Sequence, residues 1–214
     1  MEVFGDSWIR HAEKIADNWK AVVGDKDTVL IPGDISWALR MDDADVDLKF
    51  IRGLPGNKIL SRGNHDYWWS SQNKVVYAYP DMFFLKNNFF VYKDIAICGT
   101  RGWLCPNDTK FDESDKKIYE RECIRLKLSL NAAVNGGYEK IMIVMLHYPP
   151  MNDKHEESGF TDIITEYNGV NTDIYGHLHG RESIDGRFEG MLNGAEYRLV
   201  SADYLNFTPV KITE

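Results

Sequence analysis

Apolar positions recur at helical spacing near the start of the chain, at Trp8, Ala12, Ile15, Trp19 and Val22, and Gly24 stands where the run should stop. The spacing predicts a helix over residues 7–23. A short β-rich run, Thr28 to Ile31, then ends at Pro32-Gly33-Asp34, where proline and glycine break regular structure. Residues 42–52 read as a helix with an acidic face, closed by Gly53 and Pro55, and Lys58 to Ser61 as a second short strand before Gly63-Asn64-His65-Asp66. Phe89–Tyr92 and Ile95–Cys98 flank the two-residue link Lys93-Asp94 and suit an antiparallel hairpin. A long helix over 112–135 ends at Gly136-Gly137. Ile141 to Leu146 is the most apolar run of the chain, as expected of a strand covered on both faces, and it ends at His147. Residues 151–159 are polar and read as a loop. Thr172–Tyr175 leads into Gly176-His177-Leu178-His179-Gly180, and Ser183 to Val200 reads as further strands with glycine turns at Gly186, Gly190 and Gly194.

Strands and helices alternate early, and strand-rich segments follow, which favours an α/β domain with two packed sheets. No repeat, linker or low-complexity tract interrupts the pattern, and 214 residues suit one domain spanning 1–214. Composition narrows the function. A formal net charge of -8 with no Lys/Arg run disfavours nucleic acid and anionic lipid as partners. No apolar stretch approaches the ~20 residues of a spanning helix, so no membrane partner is expected. The opening residues lack the basic start and apolar centre of a secretory signal, which points to a cytoplasmic location. Cys98, Cys105 and Cys123 have neither zinc-cluster nor disulfide spacing and read as reduced thiols, Cys123 on an apolar stripe with Tyr119, Leu126, Leu130 and Ala133.

The polar residues at the strand ends carry the chemistry. Four strand ends bear, in order, Asp34, then Asn64-His65-Asp66, then His147, then His177 and His179. Ligands of α/β sheets bind beyond the carboxyl ends of strands, so residues distant in sequence converge there when those strands are neighbours. One carboxylate, one amide oxygen and several imidazoles suit manganese, iron or zinc rather than calcium. The lack of cysteine ligands argues against a structural zinc site. Any one piece has an ordinary reading: Gly-Asp is usually a turn, an isolated His-x-His a surface strand feature, Asn64 a turn residue. It is their order, all at strand ends, that marks a site. His11 on the first helix and His155 in a polar loop read as packed or solvated, and Arg62 and Arg181 beside the motifs as solvated.

Gly33-Asp34, Gly63-Asn64-His65-Asp66, the His147 strand end and Gly176-His177-Leu178-His179 resemble successive blocks of the calcineurin-like metallophosphoesterase superfamily, across residues 33–180. The resemblance implies a four-layer α/β/β/α sandwich of two mixed sheets flanked by helices. It also implies two divalent transition metals (Mn, Fe or Zn) and hydrolysis of a phosphate mono- or diester by metal-activated water. The partner is then a small phosphoester or a phosphorylated substrate. The residue matching Asp34 bridges the two metals, those matching Asn64, His147 and His177 complete the second site, and that matching His179 serves the first. His65 is placed beside the phosphate to protonate the leaving oxygen, with Asp66 orienting its ring and favouring its charged form.

The family's opening Asp-x-His block has no counterpart in these residues, and Trp37 takes the place of the last acid in Gly-Asp-x-x-Asp. The first strand is therefore expected to be missing and the first metal site impaired, as if the chain began at an internal methionine of a longer enzyme. The competing readings are a degenerate binding or scaffold protein with little turnover, and a nuclease, which the net charge disfavours.

Overall fold

The computed structural model describes residues 5–213. After a single 3-10 turn at Asp6–Trp8, helix α1 covers His11–Val22. It begins later than its apolar spacing predicts. Ile9 is extended and Arg10 has φ 55°, so Trp8 is buried by a turn rather than by a helix face. Strand β1 (Thr28–Ile31), helix α2 (Met41–Arg52) and strand β2 (Asn57–Ser61) follow as the pattern predicts. Helix α3 (Gln72–Ala78) and strand β3 (Phe83–Leu85) were not legible in that pattern: one is two turns long, the other three residues.

The hairpin of β4 (Phe90–Tyr92) and β5 (Ile95–Thr100) closes through Lys93 at φ 55°, which supplies the positive φ that glycine usually provides. Helix α4 (Glu113–Asn135) starts in a capping box between Asp112 and Asp115. Strand β6 (Met142–Leu146) is buried at every position. Helix α5 (Gly159–Glu166), absent from the hydropathy reading, starts in a second capping box, Ser158 with Thr161. After strand β7 (Val170–Tyr175), the segment read as strands from Ser183 opens instead with a short helix, α6 (Arg181–Asp185), before β8 (Gly190–Leu192) and β9 (Ala195–Leu199).

Strands β1, β2 and β3 form a parallel sheet in that order. The second sheet runs β4-β5-β6-β7-β9-β8. Its four inner strands are parallel, and the antiparallel β4 and β8 lie at its edges. Three buried clusters define the layers. Ile59 and Leu85 of the small sheet meet Ile97, Ile143, Met145 and Ile174 of the large one. The outer face of the small sheet packs Leu60 and Phe84 against Ala44 and Leu48 of α2 and Val75 of α3. That of the large sheet packs Val144, Leu146 and Tyr197 against Leu126 and Leu130 of α4 and Phe160 and Ile164 of α5. The order of layers is helix, sheet, sheet, helix, as expected. Helix α1 packs separately, Ala16 and Trp19 resting on Leu54 and on Val29 and Ile31 of β1.

No helix among the described residues is long and apolar enough to cross a membrane. The three cysteines are free, and burial pushes the thiols of Cys98 and Cys105 up to about 12, which makes them packing groups rather than nucleophiles.

Candidate metal centre

Strands β1 and β2 deliver Asp34 and Asn64 from one sheet, and β6 and β7 deliver His147 and His177 from the other, all at carboxyl ends. The site therefore lies where the edges of two sheets meet. Two glycines let the loops of the small sheet approach. A Cβ on Gly33 would stand 2.4 Å from the backbone nitrogen of Gly63, and one on Gly63 would stand 2.0 Å from Oδ1 of Asp34. Asp34 has φ 55° and His177 has φ 70°, conformations that cost side-chain-bearing residues energy and collect at functional sites.

Fully buried Asp66 holds the two loops together. Its Oδ2 accepts N–H bonds from Asp34 (2.8 Å) and Gly63 (2.7 Å), and its Oδ1 accepts from Ile35 (2.8 Å), Ser36 (3.1 Å) and the Trp68 indole (2.9 Å). Burial raises its pKa while the N–H donors pull it down. These bonds correct the role expected for Asp66. Its oxygens are committed to backbone and indole N–H groups, and the ring of His65 is held instead by Trp37, stacked at 5.0 Å and 29°. The His65 backbone N–H donates to Asp34 Oδ1 at 2.9 Å, which fixes the carboxylate from the opposite side.

His147 is 1% exposed, and its Nδ1 lies 2.8 Å from the carbonyl of Pro32. A carbonyl only accepts, so the proton sits on Nδ1 and Nε2 carries a lone pair. That lone pair faces Asn64 Oδ1 at 2.7 Å, His177 Nδ1 at 3.2 Å and Asp34 Oδ2 at 3.5 Å. His177 Nδ1 also lies 3.0 Å from Asn64 Oδ1. Burial, the largest cause, pushes both imidazoles down to about 3, so they are neutral at ordinary pH. The His147 Nε2 lone pair, Nδ1 of neutral His177, an amide oxygen and a carboxylate oxygen thus crowd one space, which would suit a cation that takes the Nδ1 lone pair of His177. Asp34, His147 and His177 form a metal-capable group among the described residues. The nitrogen and oxygen donors fit a first-row transition metal.

His179 leaves the same loop in another direction. Its Nδ1 pairs with Asp203 Oδ1 at 2.9 Å, while Gly180 N–H donates to Asp203 Oδ2 at 2.8 Å, and Trp8 packs edge-on against the ring at 5.2 Å. A carboxylate on Nδ1 selects the tautomer with its lone pair on Nε2, the arrangement found behind metal-ligating histidines. Sequence reasoning missed Asp203. It lies four residues past β9, so the strand-end rule that found the other residues would have reached it. His11 bonds to the Trp8 carbonyl through Nδ1 at 3.0 Å, and His155 to the Gly186 carbonyl through Nε2 at 2.9 Å, both outside the converging group.

A family model described as calcineurin-like phosphoesterase matches residues 5–181, most of the chain. No curated protein matches significantly. A crystal structure of a protein of unknown function from Aquifex aeolicus is similar at 18% identity, covering 94% of this chain and 81% of that one, with a TM-score of 0.44.

Proposed function

Since the chain belongs to the calcineurin-like phosphoesterase family, we propose that it hydrolyses a phosphate mono- or diester at a two-metal centre built on Asp34. Asn64, His147 and His177 would hold one ion with Asp34, and His179, steadied by Asp203, would contribute to the other. Manganese, iron or zinc bound there would activate water and neutralise phosphate charge. The chain's own residues do the rest. The Asp66 clamp keeps the Asp34 carboxylate in place. The Pro32 carbonyl keeps the His147 lone pair aimed inward. His65, braced on Trp37, stands next to Asp34 in sequence-distant contact and supplies a proton to the leaving oxygen. A small phosphoester or phosphorylated molecule in the cytoplasm is the substrate class.

One observation carries this reading: the convergence of His147 Nε2, His177 Nδ1, Asn64 Oδ1 and Asp34 Oδ2, none more than 3.5 Å from His147 Nε2. The test is metal content after dialysis together with hydrolysis of 4-nitrophenyl phosphate and its bis-ester in manganese, zinc and iron. Metal retention with turnover, both lost in His147→Ala, is the expected result. Retained metal without turnover of either ester, under every metal, would leave a binding protein and overturn the hydrolase reading.

A further inference from the structure

Two large aromatic side chains stand half in solvent beside the centre, one on each loop of the small sheet that delivers a candidate ligand. Trp37 comes three residues after Asp34 and is 44% exposed; Tyr67 comes three after Asn64 and is 54% exposed. Both touch the same ring. Trp37 stacks on His65 at 5.0 Å and 29°, and Tyr67 meets it edge-on at 6.3 Å and 83°. The His65 backbone N–H in turn donates to Asp34 Oδ1 at 2.9 Å. The two exposed rings therefore flank the imidazole that borders the metal-capable group.

Stiff backbone displays them. On the Trp37 loop, Ser36 gives its N–H to Asp66 at 3.1 Å and its hydroxyl to Asp47 at 2.5 Å, and the Ala38 N–H donates to Ser36 Oγ at 3.3 Å. On the other, the Tyr67 N–H donates to the His65 carbonyl at 2.8 Å, and its buried neighbours Asp66 and Trp68 are joined by the indole N–H bond at 2.9 Å. Rings held in this way lose little further freedom when they bind. Their flat faces attract other flat π-systems beyond what burial of area alone supplies. The reaction decides what meets them. Hydrolysis joins a water oxygen to phosphorus and breaks the bond from phosphorus to the alcohol oxygen, which leaves with the proton that His65 supplies. The carbon skeleton on that oxygen must then lie beside His65, where Trp37 and Tyr67 stand.

We propose that Trp37 and Tyr67 are specificity-determining residues that stack on a planar aromatic ring in the alcohol part of the phosphoester, an assignment that rests on the phosphoesterase reading. The rival is purely structural: both rings only brace His65, and every ester is served alike. Two pairs of substrates isolate the ring. Benzyl and cyclohexylmethyl phosphate both release a primary alcohol and differ in flatness, whereas adenosine 5′-phosphate and ribose 5-phosphate differ by the base.

The measurement is kcat/KM for all four esters with manganese-loaded wild type, Trp37→Leu, Tyr67→Leu and Trp37→Phe, with metal content and thermal unfolding read alongside. The wild type should prefer the ring-bearing member of at least one pair by about tenfold, the scale of two aromatic contacts, and each leucine variant should keep only about threefold. Trp37→Phe should retain most of the preference. The pair that shows it tells whether the ring is an aryl group next to the leaving oxygen or a base carried on a sugar. Loss of bracing lowers turnover of both members of a pair together and leaves their ratio where it was. A wild-type ratio near one in both pairs overturns the proposal, and a ratio unchanged in either leucine variant overturns it for that residue; the phosphoesterase reading stands in both cases. Should Trp37→Leu fail to fold, the wild-type ratio and Tyr67→Leu decide. If the wild type hydrolyses none of the four esters and neither nitrophenyl ester, both readings fall.

Discussion

Replacing Gly63 by alanine tests how the centre is assembled, because the space at that residue is set by the carboxylate it would displace. The added Cβ would lie 2.0 Å from Asp34 Oδ1, 2.3 Å from its backbone nitrogen and 2.8 Å from its Cγ, where ordinary contact begins at 3.4 Å. The two loops must therefore part by more than about 1 Å, and the two N–H bonds that Asp66 Oδ2 takes from them, from Asp34 and Gly63, cannot both survive. Hydrogen bonds to a charged group contribute roughly 1.5–3 kcal/mol each, so losing one costs that much and losing both roughly 3–6 kcal/mol. That is a large share of the roughly 5–15 kcal/mol that holds a domain folded. A displacement of about 1 Å in Asp34 also lowers catalysis by about 10²-fold. Urea unfolding and manganese calorimetry on Gly63→Ala should show both losses. The control is Gly137→Ala at the end of α4, where φ is 85° but nothing lies within 4 Å of the new Cβ. It should cost only the strain of a left-handed residue, about 1–2 kcal/mol, and leave metal binding alone. A Gly63→Ala protein with the wild-type urea midpoint and metal affinity would refute the account of how the two loops are joined.

Asp173 in β7 is completely buried, has no hydrogen-bond partner among the described residues, and has a pKa that burial raises well above the usual carboxylate range. The folded state therefore keeps this proton to higher pH than the unfolded chain, whose aspartate titrates near ~3.9. Its contribution is full below that pH and is lost as pH rises through the folded pKa, at up to about 1.4 kcal/mol per pH unit. Asp173→Val should thus gain on the wild type between pH 5 and pH 8 in urea unfolding; an equal difference at the two pH values would contradict this. Asp203→Ala should weaken divalent-metal affinity by about 10- to 100-fold, the usual effect of losing the carboxylate behind a ligating histidine, and wild-type affinity in calorimetry would remove Asp203 from the site. His65→Asn should keep its metal, by elemental analysis, while slowing ester hydrolysis by about 10²-fold or more; undiminished turnover would take His65 out of the reaction.

Much of this was legible before any coordinates. Helical apolar spacing and short apolar runs ended by breakers located the longer helices and strands, and the strand-end rule picked out Asp34, Asn64, His147 and His177, which the fold brings together. Those signals are local. A strand's apolar run, its breaker and the polar residue that follows lie within ten residues of one another, and the backbone needs nothing further away to form them. The elements that escaped, α3, β3 and α5, are short, and their burial comes from neighbours rather than from a repeating stripe.

Tertiary structure alone decided how the groups at those ends are used. The family resemblance implied that Asp66, beside His65 in sequence, orients that ring. Yet a buried carboxylate is satisfied by whichever N–H groups surround it, and those came from Asp34, Ile35 and Ser36 beyond another strand and from Gly63 and the Trp68 indole. Asp203 reaches His179 only because the chain beyond β9 returns past the end of β7, its neighbour in the sheet. Glu122 serves Arg125 at 2.6 Å and Arg101 at 3.7 Å only because α4 packs against the large sheet. Hydrogen-bond partners and desolvation are properties of a three-dimensional neighbourhood, which a linear pattern of polar and apolar residues does not contain.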